Sequence, residues 1–300
     1  MAAAVAAVGA LTEVIRVSRA QTMMQLEKEL KSASEVLKDY SDALSVASGC
    51  DLFTRFVLRA SGDYPNFDEC KKKLIAKGQE YVKISETSRN KIGSLAAAFI
   101  RDGMTVLIHG YSRVVMAVLA RAVNDGKRFS VYVTEARPKV DDTTTGSASA
   151  AKLQEMGVPV TLVLDSAVAY IMDHIDLVFV GAEGIVENGG IINKVGTYQV
   201  SIIAKACGKP FYVAAESFKF MRLYPLNQKD IGKMTKDSKR STDDMWSQKR
   251  EIASEEEHNK IKMESPSQDY TPPRYINLLF TELGVLTPAA VSDELIKLHY

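Results

Sequence analysis

Met104-Thr-Val-Leu-Ile-His109-Gly-Tyr-Ser-Arg113 sets the architecture of the chain. Its β-branched and aliphatic run ends in glycine, tyrosine and serine, the pattern of a buried strand that turns and opens a helix. The same pattern returns at Ser130–Thr134, Val158–Leu164, Leu177–Val180 and Phe211–Ala214, with helical stretches between. Alternation of this kind implies a parallel sheet covered on both faces, with right-handed crossovers. The expectation from residue 102 onward is therefore a Rossmann-like, doubly wound α/β domain.

Upstream the period changes. In Thr22–Leu37 the apolar residues Met23, Leu26, Leu30, Ala33 and Leu37 recur every three or four positions, one face of a helix. Further helices are expected over 51–60, 68–84 and 92–100, with Ser85-Glu-Thr-Ser-Arg-Asn-Lys91 breaking the pattern before the last of them. Residues 1–101 thus read as an all-helical N-terminal domain and 102–300 as the α/β domain. The stretch 228–268, charged and poor in aliphatics, reads as a flexible insertion, either a solvated loop or a partner-binding segment. Thr287-Pro288 has the N-cap and first-turn proline of a final helix.

Composition bounds the chemistry. Thirty-eight basic and 37 acidic side chains in 300 residues leave a formal charge of +1, so no global field draws the chain to nucleic acid or an anionic membrane. Cys50, Cys70 and Cys207 are far apart and without metal-ligand spacing, and are expected to be reduced, buried thiols. No apolar run approaches the roughly 20 residues of a bilayer span. The opening alanine-rich stretch lacks a basic flank and reads as a helix start, which leaves the cytosol as the expected location.

In a doubly wound sheet, ligands lie beyond the carboxyl ends of the strands. His109-Gly-Tyr-Ser-Arg113, Thr134-Glu-Ala-Arg-Pro138, Asp165-Ser166, Gly181-Ala-Glu-Gly184 and Ala215-Glu-Ser217 all fall there. The candidate anion-binding residues are Arg89, His109, Tyr111, Ser112, Arg113, Glu183, Asn188, Asn193 and Lys194. The sharpest local signal is Glu187-Asn-Gly-Gly-Ile-Ile-Asn-Lys-Val-Gly-Thr197 before a helix over 198–207. Two readings fit it: a glycine-rich cradle in which Lys194 and free helix N–H groups meet a phosphate, or a capped helix start with a solvated lysine. Neither GxGxxG nor GxxxxGK[ST] occurs, which argues against dinucleotides and nucleoside triphosphates.

Val178–Thr197, Lys209–Lys219 and Leu279–Ile296 together resemble the family that unites the alpha, beta and delta subunits of initiation factor 2B with methylthioribose-1-phosphate and ribose-1,5-bisphosphate isomerases. Gly103–Val118 and Phe129–Pro138 are more similar to the alpha-subunit branch than to the isomerases. The resemblance runs from near residue 10 to about 227 and resumes near 269. It implies a helical domain joined to a Rossmann-like domain that forms a homodimer, and a sugar-phosphate pocket in which Arg89, Asn193 and Lys194 match the phosphate-holding positions. The isomerases move a proton with a cysteine and an aspartate; those positions are Gly110 and Glu183 here, so no catalytic residue is expected. What the resemblance then implies is a non-catalytic regulatory subunit of the guanine-nucleotide exchange factor for initiation factor 2. Its implied partners are the beta, delta, gamma and epsilon subunits and the phosphorylated alpha subunit of initiation factor 2. The implied requirement for cofactors or metals is none, with a sugar phosphate as the possible ligand. The alternative is an aldose–ketose isomerase that uses another catalytic group.

Overall fold

The computed structural model describes residues 3–40, 44–60, 66–137, 145–232 and 266–299. Four helices come first: α1 (Ala3–Val17), α2 (Met23–Tyr40), α3 (Leu44–Ala60) and α4 (Phe67–Ala97). Leu11, Ile15, Leu26, Leu30, Phe53, Val57 and Leu74 meet in one apolar core between them. Asn66 begins α4 as an N-cap, its side chain accepting from Asp68 N at 2.9 Å.

The interruption expected over 85–91 does not occur, because α4 runs unbroken for 31 residues. A polar stretch this short is carried by the packing on either side of it. Upstream, Leu74 belongs to the helical core; downstream, Ile92, Ala96, Ala97 and Ile100 belong to the core of the sheet. One rigid helix therefore links the two halves and carries Arg89 between them.

The α/β half comprises β1 (Thr105–His109), α5 (Arg113–Asn124), β2 (Ser130–Thr134), α6 (Gly146–Glu155), β3 (Val160–Val163), α7 (Val168–Ile171) and β4 (Leu177–Val180). A hairpin of β5 (Gly184–Val186) and β6 (Ile191–Lys194) follows, then α8 (Thr197–Ala206), β7 (Phe211–Ala214), β8 (Phe220–Met221) and α9 (Lys229–Gly232). The chain closes with β9 (Gln268–Thr271), β10 (Leu278–Thr281), β11 (Gly284–Leu286) and α10 (Val291–His299). The main sheet has the order β11-β10-β7-β4-β1-β2-β3 and is parallel apart from β11. Strands β1, β2, β4 and β7 fall where the aliphatic runs predict them; β3 is shorter than 158–164.

A second sheet, β8-β5-β6-β9, was not expected. It makes Asn193-Lys194 the end of a strand paired to Asp269 and Gln268, not part of a glycine-rich loop. The last helix starts at Val291, after a 3₁₀ turn over Pro288–Ala290 whose Thr287 hydroxyl makes no cap bond. Most of the insertion at 228–268, including Trp246, lies outside the described residues. Its two flanks are ordered: the Gln228 amide accepts from Tyr270 N at 2.8 Å and donates to Tyr270 O at 2.6 Å. Cys50 and Cys70 are buried thiols as expected, whereas Cys207 is exposed, since it sits where α8 ends and the chain turns.

Candidate functional site

Strand order reverses between β1 and β4, so the crevice of the doubly wound sheet opens between the segment after β1 and the segment after β4. The two approach closely. A Cβ built on Gly181 would lie 2.5 Å from Ser112 Oγ, so only glycine fits there. Ser112 caps α5, accepting from Val115 N at 3.4 Å. Gly110 takes a left-handed φ of 64°, and its carbonyl is held by Ser149 Oγ at 2.7 Å.

His109 is sealed beneath this crevice, its side chain 1% exposed. Nε2 lies 2.9 Å from Val195 O and Nδ1 lies 2.7 Å from Thr134 Oγ1. A carbonyl only accepts, so Nε2 carries the hydrogen and Nδ1 accepts from the threonine. Burial depresses the imidazole pKa against the opposing pull of Asp165, 3.9 Å away. His109 thus has two orienting partners, supplied by β2 and by the turn before α8. Both nitrogens are occupied by them, and the ring acts as a neutral strut.

Arg89 reaches the same rim from α4. Its Nε donates to Glu216 Oε1 at 3.0 Å, and Lys219 Nζ lies 3.0 Å from Glu216 Oε2. Burial opposes ionisation of Glu216, but Lys219 and Arg89 outweigh it and hold the carboxyl below its ordinary pKa. Lys219 also donates to Ala182 O at 2.7 Å, tying the cluster to the loop after β4. Glu282, at the end of β10, accepts from Ser217 N at 3.0 Å and from the Ser217 hydroxyl. Next along the rim, the Glu183 carboxylate accepts from the Gln268 amide. Gln268 pairs in register with Lys194.

Two of the N–H groups at the start of α8 are engaged by a carboxylate. Gly196, at φ 101°, caps α8, and Asp269 Oδ2 accepts from Gly196 N at 2.7 Å and from Tyr198 N at 3.0 Å. Asn193 Nδ2 donates to Thr197 Oγ1 at 3.0 Å, and that hydroxyl donates to Lys194 O at 2.6 Å. Burial of Asp269 raises its pKa to about 7 despite the two backbone bonds.

The structure therefore gathers Arg89, His109, Ser112, Glu183, Asn193 and Lys194 around one crevice. Tyr111 turns toward α6, where Lys152 donates to its hydroxyl at 3.4 Å, and Arg113 is exposed at the start of α5. Asn188 does not join them. It closes the β5–β6 hairpin at the far end of β6, accepting from Gly190 N at 2.9 Å and donating to Tyr270 OH at 2.7 Å. The candidate set lacked Glu216, Lys219, Gln268 and Asp269. Glu216 carried a signal, a charged residue two positions past a strand end; Asp269 carried none, since the helix it caps lies some seventy residues earlier.

Chemically, the crevice sets Arg89 and Lys219 against Glu216, Glu183 against an amide, and His109 against a hydroxyl and a carbonyl. No group of three potential metal ligands occurs among the described residues, and no described helix is long and apolar enough to cross a membrane.

Comparison with known proteins agrees with this architecture. The chain is 53% identical over 292 residues to translation initiation factor eIF2B subunit alpha of Dictyostelium discoideum, covering 96% of this chain and 89% of that one. It is 33% identical over 272 residues to ribose 1,5-bisphosphate isomerase of Archaeoglobus fulgidus, covering 88% and 78%. In fold it is similar to a chain of the tetrameric eIF2B-beta2-delta2 complex from C. thermophilum, with a TM-score of 0.79, 18% identity and coverage of 99% and 88%. The initiation factor 2 subunit family model matches residues 1–288, and the chain belongs to that family.

Proposed function

We propose that the chain is a non-catalytic regulatory subunit of the guanine-nucleotide exchange factor for translation initiation factor 2, corresponding to its alpha subunit. The observation that carries this reading is the crevice itself. Position 110, where the resemblance puts the isomerase cysteine, is a glycine with its carbonyl bound to Ser149, and adjacent His109 has both nitrogens engaged. Losing one acid–base partner typically costs roughly 10² to 10⁴ in rate. The long match to a protein named as the alpha subunit supports the same reading.

In this role the chain forms a homodimer and docks on the beta, delta, gamma and epsilon subunits. It conveys inhibition by the phosphorylated alpha subunit of initiation factor 2, with the helical half as the contact surface. A sugar phosphate held near Arg89, Asn193 and Lys194 stabilises the assembly. Its place of work is the cytosol.

The test is to tag the protein at its native locus and identify its stoichiometric companions by mass spectrometry. Recovery of the other exchange-factor subunits with initiation factor 2 is the expected result. A homodimer recovered alone would overturn the reading and favour the isomerase alternative, which the 33% identity to a ribose 1,5-bisphosphate isomerase keeps in view. That alternative requires turnover of a ribose phosphate that is lost in Glu183→Gln.

A further inference from the structure

At the opposite end of the sheet, where β7 and β10 begin, lies a cleft of about 350 Å³. Its walls are Lys205, Gly208, Lys209, Arg274, Tyr275 and Asn277, with Pro210 between. Three side chains in the lining are cations and none is a carboxylate. Asn277 sits with its Oδ1 accepting from Phe211 N at 2.8 Å, so its NH₂ is the group left to offer a ligand. The carbonyl of Arg274 is taken by Lys205 Nζ at 2.7 Å. Lys205 and Arg274 also lie over the Tyr275 ring, at 5.3 and 4.8 Å from its centroid, and Tyr198 packs edge-on against that ring at 5.5 Å. Proximity to Arg274 and Tyr198 lowers the pKa of the Tyr275 hydroxyl.

Each of these residues also has a local role. Lys205 and Lys209 flank the carboxyl end of α8, and Lys209 Nζ lies 3.4 Å from Asp173 O. Yet an ammonium has three donors and a guanidinium five, so the single bonds of Lys205 and Lys209 and the Tyr275 and Tyr198 hydroxyls beside Arg274 leave donors open on all three. The helix end contributes about half a negative charge, far less than three cations. Its carbonyls at Ile203, Ala204 and Lys205 already accept from Cys207, Lys209 and Gly208. Apart from the Tyr275 hydroxyl, every side-chain polar group offered to the cleft donates, and the complement is a small ligand rich in acceptors and negative charge. The volume falls in the range of small-molecule sites, roughly 300 to 1,000 Å³.

We propose that this cleft binds the phosphoryl group of a small phosphorylated ligand, at a site separate from the crevice at the carboxyl ends of the strands. The planar fork of Arg274 suits phosphate oxygens, with Lys205 and Lys209 as the accompanying charges.

The probe is inorganic pyrophosphate, titrated into the full chain by calorimetry while amide resonances are followed by NMR. The expected result is saturable, salt-sensitive binding that shifts residues 205–209 and 274–277 and weakens at least about tenfold in the double variant R274Q/K209Q. Absence of binding would overturn the proposal, as would equal affinity in the double variant or shifts confined to residues 109–113 and 194–197. Tighter binding of tricarballylate than of pyrophosphate would overturn the phosphoryl assignment. If the double variant fails to fold, the shift map of the unmodified chain decides alone.

Discussion

Glu216 and Asp269 are both buried carboxyl groups within the α/β half, 2% and 8% exposed, yet their pKa values move in opposite directions. Glu216 is flanked by Lys219 and Arg89, whose full charges outweigh its desolvation. Asp269 meets two backbone N–H groups, whose partial charges do not, and its pKa rises to about 7. Burial opposes ionisation in both places; beside Glu216 it is overcome by Lys219, a backbone hydrogen bond and Arg89, whereas Asp269 has backbone hydrogen bonds alone.

The signs follow for stability. Glu216 has a lowered folded pKa, so its contribution is present above the ordinary carboxylate range and is lost as pH falls through the folded value. Asp269 has a raised one, so its contribution is complete below the unfolded value and is lost as pH climbs toward 7. The two groups tilt the pH–stability profile in opposite senses.

Breaking the first site has the largest expected loss. Glu216→Ala leaves Arg89 and Lys219 without their shared counter-charge and is expected to cost about 3 kcal/mol at pH 7 in urea denaturation. A loss below about 1 kcal/mol would mean that water replaces the carboxylate. Gly196→Ala attacks the second site through its backbone. A Cβ there meets His109 Cε1 at 2.7 Å on a residue at φ 101°, and the expected loss is about 2 kcal/mol, read from the same denaturation.

Asp269→Asn sharpens the comparison. Its amide oxygen can still accept from Gly196 and Tyr198, while the titration disappears. The variant should match the unmodified chain near pH 3, below the unfolded carboxylate range, and exceed it progressively as pH rises, by on the order of 3–4 kcal/mol at pH 8. A constant difference across pH, followed by thermal melting, would refute the raised pKa. The smallest change is expected from Glu183→Gln. Its partner is an amide that any acceptor oxygen satisfies, so stability should stay within about 0.5 kcal/mol. On the regulatory reading, ribose phosphate turnover is absent before and after that substitution.

Five strands of the main sheet and the crevice between β1 and β4 were legible because a buried parallel strand needs an apolar run, as in Thr105–His109, Leu177–Val180 and Phe211–Ala214, whereas β10 and β11 were not expected. The β5–β6 hairpin was not legible. Its strands are three and four residues long, and its glycines read as a loop until Tyr270 and Asp269 are brought alongside. The continuity of α4 through Ser85–Lys91 escaped for a related reason, since cores in two different places hold it. Among the candidate residues, the structure brings Arg89 and Lys194 to the crevice and puts Asn188 at the far end of the hairpin, since local sequence cannot say at which end of a hairpin a residue falls.

Local pattern by itself determined the helical start, the parallel sheet and the rim on which polar groups gather, because period and turn chemistry act over a few residues. The resemblance of three long segments determined the family. Only the tertiary structure decided that His109 is sealed by Thr134 and Val195, that Arg89 answers to Glu216, and that Asp269 occupies the start of α8. Each of those contacts joins residues at least 25 positions apart. A charge or donor is written in the sequence, but its partner is chosen by folding.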